Sequence, residues 1–98
     1  MFGKIKRRIR RAQIGKELVS IAKAYDHVYH GDFGKYSKAE LEECIEFGER
    51  QFNLDCELRD IMILDGDFVA ASHIDNSIKL DVACLAILKR DLEQGNYY

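Results

Sequence analysis

Residues 65–95, DGDFVAASHIDNSIKLDVACLAILKRDLEQG, are the stretch that decides the fold class. Its apolar side chains recur every three or four residues, which is the spacing of one face of an α-helix. Asp65 or Asp67 can cap the start of such a helix, and Gly95 can terminate it. We therefore predict a long last helix over about 68–94. Its apolar stripe consists of Ala71, Ile74, Ile78, Val82, Leu85, Leu88 and Leu92.

A β-hairpin is the alternative for the beginning of this stretch. Asp65-Gly66 separates the apolar runs 61–64 and 68–70, and Asp-Gly between apolar runs is a strong hairpin signal. An α+β fold with a hairpin at about 60–71 therefore stays open beside the all-α prediction. The same Asp-Gly-Asp resembles part of a calcium loop, but residues 68–71 supply no side-chain oxygen. We interpret it as a turn with a helix cap.

A capping box marks the start of the preceding helix. In Ser37-Lys38-Ala39-Glu40, the Ser37 hydroxyl and the Glu40 carboxylate can each accept from the other residue's backbone. A helix is predicted from Lys38, with a break at 53–55 where Asp55 can cap a further short helix. Asp75-Asn76-Ser77 offers a cap for a similar interruption of the last helix. The apolar face of the helix from Lys38 contains Leu41, Cys44, Ile45, Gly48 and Phe52.

The first thirty residues carry two helical stripes that point in nearly opposite directions. The first consists of Phe2, Ile5, Ile9 and Ala12, and the second of Ile14, Leu18, Ile21, Tyr25 and Val28. The helical phase slips near Gln13 and Gly15. Either the chain bends there, or the first segment serves something other than this core. The helix that carries the second stripe is expected to end at about His30, with Gly31 in the C-cap region.

Length and composition indicate one globular domain over residues 1–98, built as a bundle of three or four helices. The chain is 47% hydrophobic and 33% charged, and it contains no proline. Its longest apolar run, 82–88, is far shorter than the roughly 20 residues that span a membrane. The three cysteines form no CxxC motif, and no secretion signal is apparent. We expect reduced thiols and a cytoplasmic location.

The net charge of −2 conceals a strong asymmetry along the chain. Residues 1–23 carry +7 and residues 24–98 carry −9. Such asymmetry suggests that residues 1–13 form a basic interaction arm, and that an acidic row on the helix from Lys38 is a second binding surface. The cations are Lys4, Lys6, Arg7, Arg8, Arg10 and Arg11, and the row is Glu42, Glu46 and Glu49.

Three kinds of partner fit these charges. The favoured one is a protein, which includes the acidic helix of this chain or of another copy. Nucleic acid is the second, because arginine-rich helices bind phosphate backbones. A membrane surface is disfavoured, because the amino-terminal apolar face has only three large residues.

No complete catalytic or metal-binding motif is present. His27 and His30 stand three residues apart, but a structural zinc needs four ligands and no other cluster completes the set. Ser72, His73 and Asp75 could be drawn as a catalytic group, yet adjacent helical side chains point about 100° apart. We predict neither enzyme activity, nor a cofactor, nor a metal.

The sequence favours a small noncatalytic interaction or regulatory protein that binds another macromolecule through its polarised charged helices. An accessory inhibitor of the kind encoded by phages or mobile elements fits this interpretation. The alternative is an RNA- or DNA-binding protein that uses the basic amino-terminal helix.

Overall fold

Three long helices make up the computed structural model of this chain. The structure describes the backbone of residues 2–28 and 36–98, and the side chains of 2–25 and 36–98. Helix α1 spans Phe2–Val28, α2 spans Lys38–Leu64 and α3 spans Phe68–Glu93. No strand occurs among these residues.

The all-α prediction is therefore confirmed, and the alternative hairpin at 60–71 is wrong. The apolar runs on either side of Asp65-Gly66 are the end of one helix and the start of the next. The predicted helix end at His30 and Gly31 lies outside the described residues.

The predicted capping box starts α2. The backbone N–H of Glu40 donates to Ser37 Oγ at 3.2 Å, and the backbone N–H of Ser37 donates to Glu40 Oε1 at 3.2 Å. Two donors that the helix cannot satisfy internally are thus paired. The start of α2 at Lys38 follows from these local bonds.

Glycines in the left-handed region end both α2 and α3. Gly66 has φ +74°, the Asp67 N–H donates to the Met62 carbonyl at 2.9 Å, and the Gly66 N–H donates to the Ile63 carbonyl at 3.0 Å. Gly95, with φ +71°, ends α3 through the same pattern of bonds. This is the Schellman motif, in which a residue without Cβ takes the conformation that the turn requires. Asp-Gly here terminates a helix rather than joining two strands.

Asp67 occupies the predicted N-cap position of α3, but its side chain makes no capping hydrogen bond. Its Oδ2 instead accepts from Arg11 NH2 at 3.4 Å. The carboxylate faces α1 and leaves the first turn of α3 without a side-chain cap.

The predicted breaks within α2 and α3 are wrong. Leu54 and Leu58 are both buried, so the packed face of α2 runs through 53–55 without interruption. The face of α3 likewise continues through 75–77 from Ile74 to Ile78. Burial of these faces outweighs the capping potential of the polar residues between them.

Helix α1 also runs without a break through 13–15, so the chain does not bend there. The phase slip therefore means that the amino-terminal apolar stripe faces away from this core.

Helix α2 lies between the other two and runs antiparallel to each. Arg7 near the start of α1 pairs with Asp65 at the end of α2, and Arg59 on α2 pairs with Asp75 on α3. Among the described residues, no Cα atom of α1 lies within 8 Å of one in α3. The central core consists of Ile14, Ile21, Leu54, Leu58, Ile61, Met62 and Ala71.

The molecule is a rod of 53 × 21 × 19 Å. Its radius of gyration, 15.6 Å, exceeds the roughly 13 Å of a compact 100-residue domain because all three helices run along one axis. The two ends of the rod are therefore separate surfaces.

Candidate functional site

Three of the six predicted cations are paired within the chain. Arg7 Nε lies 2.6 Å from Asp65 Oδ1, and Arg11 NH1 lies 3.4 Å from the other oxygen of the same carboxylate. Arg10 Nε lies 2.6 Å from Glu57 Oε2. The basic segment therefore has acidic counterparts inside its own molecule.

These contacts favour the ionised form of each partner. The Arg7 guanidinium holds the pKa of Asp65 below its ordinary value, and Glu57 raises the pKa of Arg10. The pairs therefore persist near neutral pH, and about half of the basic charge of residues 4–11 is compensated internally.

The pairing follows from a stripe that sequence analysis missed. Arg7 and Arg11 precede Ile14 at the same alternating steps of four and three that continue to Leu18 and Ile21. They occupy the core-facing side of α1 just where the core ends at the α2–α3 turn. The spacing of Arg7 and Arg11 indicated that they lie on the core-facing side of α1. A helical pattern read from apolar residues alone does not include them.

The other three cations remain on the surface. Lys4, Lys6 and Arg8 are exposed, and within the described part of the chain no carboxylate forms a salt bridge with them. Lys4 and Arg8 line a hollow of about 550 Å³ beside the α2–α3 turn. Of the six predicted cations, these three are the ones left for a partner.

The amino-terminal apolar stripe is exposed as well. Phe2 is 83% exposed, and Ile5 and Ile9 are each 55% exposed. At about 100° per residue, Lys4 and Arg8 border one side of this stripe and Lys6 borders the other. We call these six residues the α1 tip. It combines apolar area with unpaired positive charge at one end of the rod.

The predicted acidic residues lie toward the opposite end. Glu42 and Glu46 are exposed, whereas Glu49 Oε1 lies 3.0 Å from Lys89 Nζ. About 35 Å of helix separates Glu42 from Asp65, where the basic segment packs. The structure therefore does not bring the predicted cations and glutamates together, and the acids that pair with α1 are Glu57, Asp65 and Asp67.

A groove of about 790 Å³ runs between α1 and α3 over the middle of α2. Tyr25 closes one side, and its hydroxyl donates to the Cys44 carbonyl at 3.0 Å. Burial raises the pKa of Tyr25 to about 12, so the phenol stays protonated. Gly48 lies on the α2 side, and the α3 side is mostly apolar. The α3 residues are Ser77, Leu80, Asp81, Cys84, Leu85, Ile87 and Leu88.

Asp81 of this groove is half-buried and forms a carboxyl pair with Asp55 of α2. Asp55 is only 4% exposed. Among the described residues, neither Asp55 Oδ2 nor Asp81 Oδ2 has a hydrogen-bond donor. Burial, a hydrogen bond to Asp81 and repulsion by Asp81 raise the pKa of Asp55 to about 7. Burial and the neighbouring carboxyl group therefore disfavour the ionised form of Asp55.

The sequence analysis assigned Asp55 to a helix cap and did not consider Asp81. Each lies within the apolar face of its helix, a position where an ionisable residue is costly. A helical wheel of each helix would therefore have shown an aspartate on the apolar face. Their proximity depends on how α2 and α3 pack together.

The described residues contain no catalytic or metal-binding cluster. Asp75 Oδ1 lies 3.1 Å from Arg59 Nη1, so this carboxylate is paired with an arginine. The sequence itself already argues against a catalytic group of Ser72, His73 and Asp75. No set of three metal-binding side chains occurs among the described residues. The side chains of His27 and His30 lie outside them.

The fold defines a small three-helix protein with an exposed basic and apolar tip. The chain matches no protein-family model, no curated protein and no solved structure. In the part that the structure describes, no helix combines the length and apolar character needed to cross a membrane.

Proposed function

We propose that this chain is a small noncatalytic interaction protein that binds a protein partner through the α1 tip. The observation that supports this proposal is the exposure of Phe2, Ile5 and Ile9 beside cations that have no acidic partner in the described chain. Burying a large apolar side chain stabilises an interface by roughly 1.5–3 kcal/mol. The stripe is thus a suitable anchor for a complex.

The chemistry of the tip specifies the partner. A helix or groove with apolar side chains would cover the stripe, and carboxylates at its edges would meet Lys4, Lys6 and Arg8. The charges would accelerate association and restrict the choice of partner, whereas the apolar contacts would supply most of the affinity. The proposal includes a cytosolic location, which the three free cysteines support.

Nucleic acid is the alternative ligand of the same surface. Internal pairing of Arg7, Arg10 and Arg11 weakens it, because fewer cations remain for phosphate. The exposed isoleucines also have no role in binding a phosphate backbone.

A matched pair of variants tests the proposal. Ile9→Asp and Val19→Asp introduce the same charge on α1 at side chains that are both 55% exposed, but only Ile9 belongs to the α1 tip. We expect photo-crosslinking in cells, followed by mass spectrometry, to give a protein adduct that Ile9→Asp abolishes and Val19→Asp retains.

Equal adducts from the two variants would contradict the role of the tip. Adducts that contain only nucleic acid and disappear after nuclease treatment would favour the alternative.

A further inference from the structure

The groove between α1 and α3 lacks a covering element in the described structure. Leu80 and Ile87 line its outer edge and remain 67% and 50% exposed, about 140–160° around α3 from the buried Leu85. Helices α1 and α3 both pack on α2, and among the described residues no Cα atom of α1 lies within 8 Å of one in α3. The space between them is the position of a fourth helix in a four-helix arrangement.

The Asp55–Asp81 pair gives this groove a charge preference. No cation forms a salt bridge with either carboxyl group within the described residues. The two neighbouring carboxyl groups repel each other when ionised, and a cation that contacts the half-buried Asp81 from the groove would lessen this repulsion. An occupant with apolar side chains and a lysine or arginine therefore fits better than a purely apolar one.

The α1 tip has that chemistry. It presents Phe2, Ile5 and Ile9 on one helical face, with Lys4, Lys6 and Arg8 along its borders. It cannot enter the groove of its own molecule, because it lies beyond Asp65 whereas the groove lies around Gly48. These levels are about 25 Å apart along α2.

We propose that a second copy of this chain inserts its α1 tip into the groove between α1 and α3, where one of its cations meets the Asp55–Asp81 pair. This inference rests on the proposed function and specifies the partner of the same tip. Reciprocal insertion forms a twofold dimer, the commonest symmetry of small oligomers. The antiparallel arrangement brings the basic end of each rod to the middle of the other.

Sedimentation velocity on the intact chain, over a concentration series up to about 100 µM, tests the dimer. Leu80→Asp alters the groove, and Val69→Asp is its control, since Val69 is an exposed α3 residue (73%) outside the groove lining. We expect a dimer whose dissociation constant rises at least about tenfold in Leu80→Asp and in Ile9→Asp. Val69→Asp and Val19→Asp should stay within about twofold of the wild type.

A monomer throughout the series would overturn the inference, as would equal weakening by Leu80→Asp and Val69→Asp. Asp81→Asn tests the charge contact separately. It removes the carboxylate that would meet the cation, so the dissociation constant should rise at least about fivefold. A tighter dimer in Asp81→Asn would contradict the contact.

A crosslink locates the contact without relying on affinity. Cys84 is exposed and lines the groove, so Ile5→Cys provides a thiol that should reach Cys84 of the other copy. With oxidised glutathione as oxidant, we expect an interchain disulfide between these positions by peptide mass spectrometry. Val19→Cys is the control, and equal crosslinking of Cys84 by both thiols would overturn the assignment.

The outcomes separate the inference from the proposed function. A monomeric chain whose cellular adduct still requires Ile9 would overturn the dimer and keep the binding role of the α1 tip. If Ile9→Asp changes neither the adduct nor self-association, both proposals fail.

Discussion

The carboxyl groups of Asp55 and Asp81 meet between α2 and α3, and among the described residues neither Oδ2 atom has a hydrogen-bond donor. The pKa of Asp55 is about 7 in the folded protein, against an ordinary value of 3.8. The folded state therefore holds a proton that the unfolded chain loses between these values. The stability associated with this proton is fully present below pH 3.8 and is lost as the pH rises toward and through 7.

We predict that Asp55→Asn stabilises the fold at about pH 8, by roughly 1–3 kcal/mol, because an amide needs no proton to stay neutral. Urea unfolding at about pH 5 and pH 8, at low protein concentration, should show a smaller loss of stability in the variant than in the wild type. Asp60→Asn on the exposed side of α2 serves as the control. A destabilised Asp55→Asn at pH 8 would contradict the raised pKa of Asp55.

Gly48 and Gly15 both lie inside helices but differ in the space around them. A Cβ on Gly48 would lie 2.8 Å from Leu85 Cδ2, whereas one on Gly15 meets nothing within 4 Å. Alanine gains up to about 1 kcal/mol over glycine inside a helix, and overpacking costs about 1–3 kcal/mol. In chemical denaturation, Gly15→Ala should therefore exceed Gly48→Ala in stability by at least about 1 kcal/mol. Equal gains would mean that Leu85 moves aside freely.

Helix α1 has two differently stabilised parts. From Ile14 to Tyr25 it packs against the apolar core, but its first turns contact the rest of the molecule through the arginine pairs. Partly exposed ion pairs are weak and are screened by salt, whereas apolar packing is largely insensitive to it. Opening of the first turns should therefore occur before unfolding of the helix as a whole.

We predict that Asp65→Asn accelerates amide hydrogen exchange in residues 5–11 and leaves residues 18–25 nearly unchanged. The variant removes the carboxylate that Arg7 and Arg11 share. Raising the salt concentration should accelerate exchange in the wild type in the same residues. Asp91→Asn at the distant end of α3 is the control, and equal acceleration along all of α1 would contradict separate stabilisation of its two parts.

The split between the +7 of residues 1–23 and the −9 of residues 24–98 overstates the charge that the protein can offer to a ligand. The arginine pairs with Glu57, Asp65 and Asp67 compensate part of it. What remains is a rod with an exposed basic and apolar tip at one end and the exposed Glu42 and Glu46 toward the other.

This arrangement predicts the salt dependence of any binding to duplex DNA. Three available cations give a slope of about −3 for the logarithm of the association constant against the logarithm of salt concentration, whereas all six would give about −5. Fluorescence anisotropy with a labelled duplex measures this slope. A value near −5 would show that the internal arginine pairs open on binding.

The sequence predicted those parts of the fold that depend on neighbouring residues. The bonds between Ser37 and Glu40, and the glycine turns at Gly66 and Gly95, are local, and the first is present as predicted. The sequence did not predict that α2 continues through 53–55, because this continuity depends on the burial of Leu54 and Leu58 against other helices. Tertiary packing here overrides local capping preferences.

The candidate site was predicted in part for a similar reason. Its residues and its outward-facing apolar stripe followed from helical periodicity within one segment. The pairing of the arginines and the contact between Asp55 and Asp81 depend on contacts between helices that are distant in sequence. Periodicity within one segment contains no information about such contacts.

Arg7 and Arg11, which precede Ile14 on the core-facing side of α1, affect how α1 is aligned along α2. A shift of α1 by two turns would preserve the helical phase and bring Arg7 and Arg11 toward Ile61 and Leu58. Apolar packing tolerates such slippage, but buried guanidinium groups without carboxylates do not. The arginines thus set the register of α1, and they exclude a misaligned bundle more strongly than they stabilise the native one.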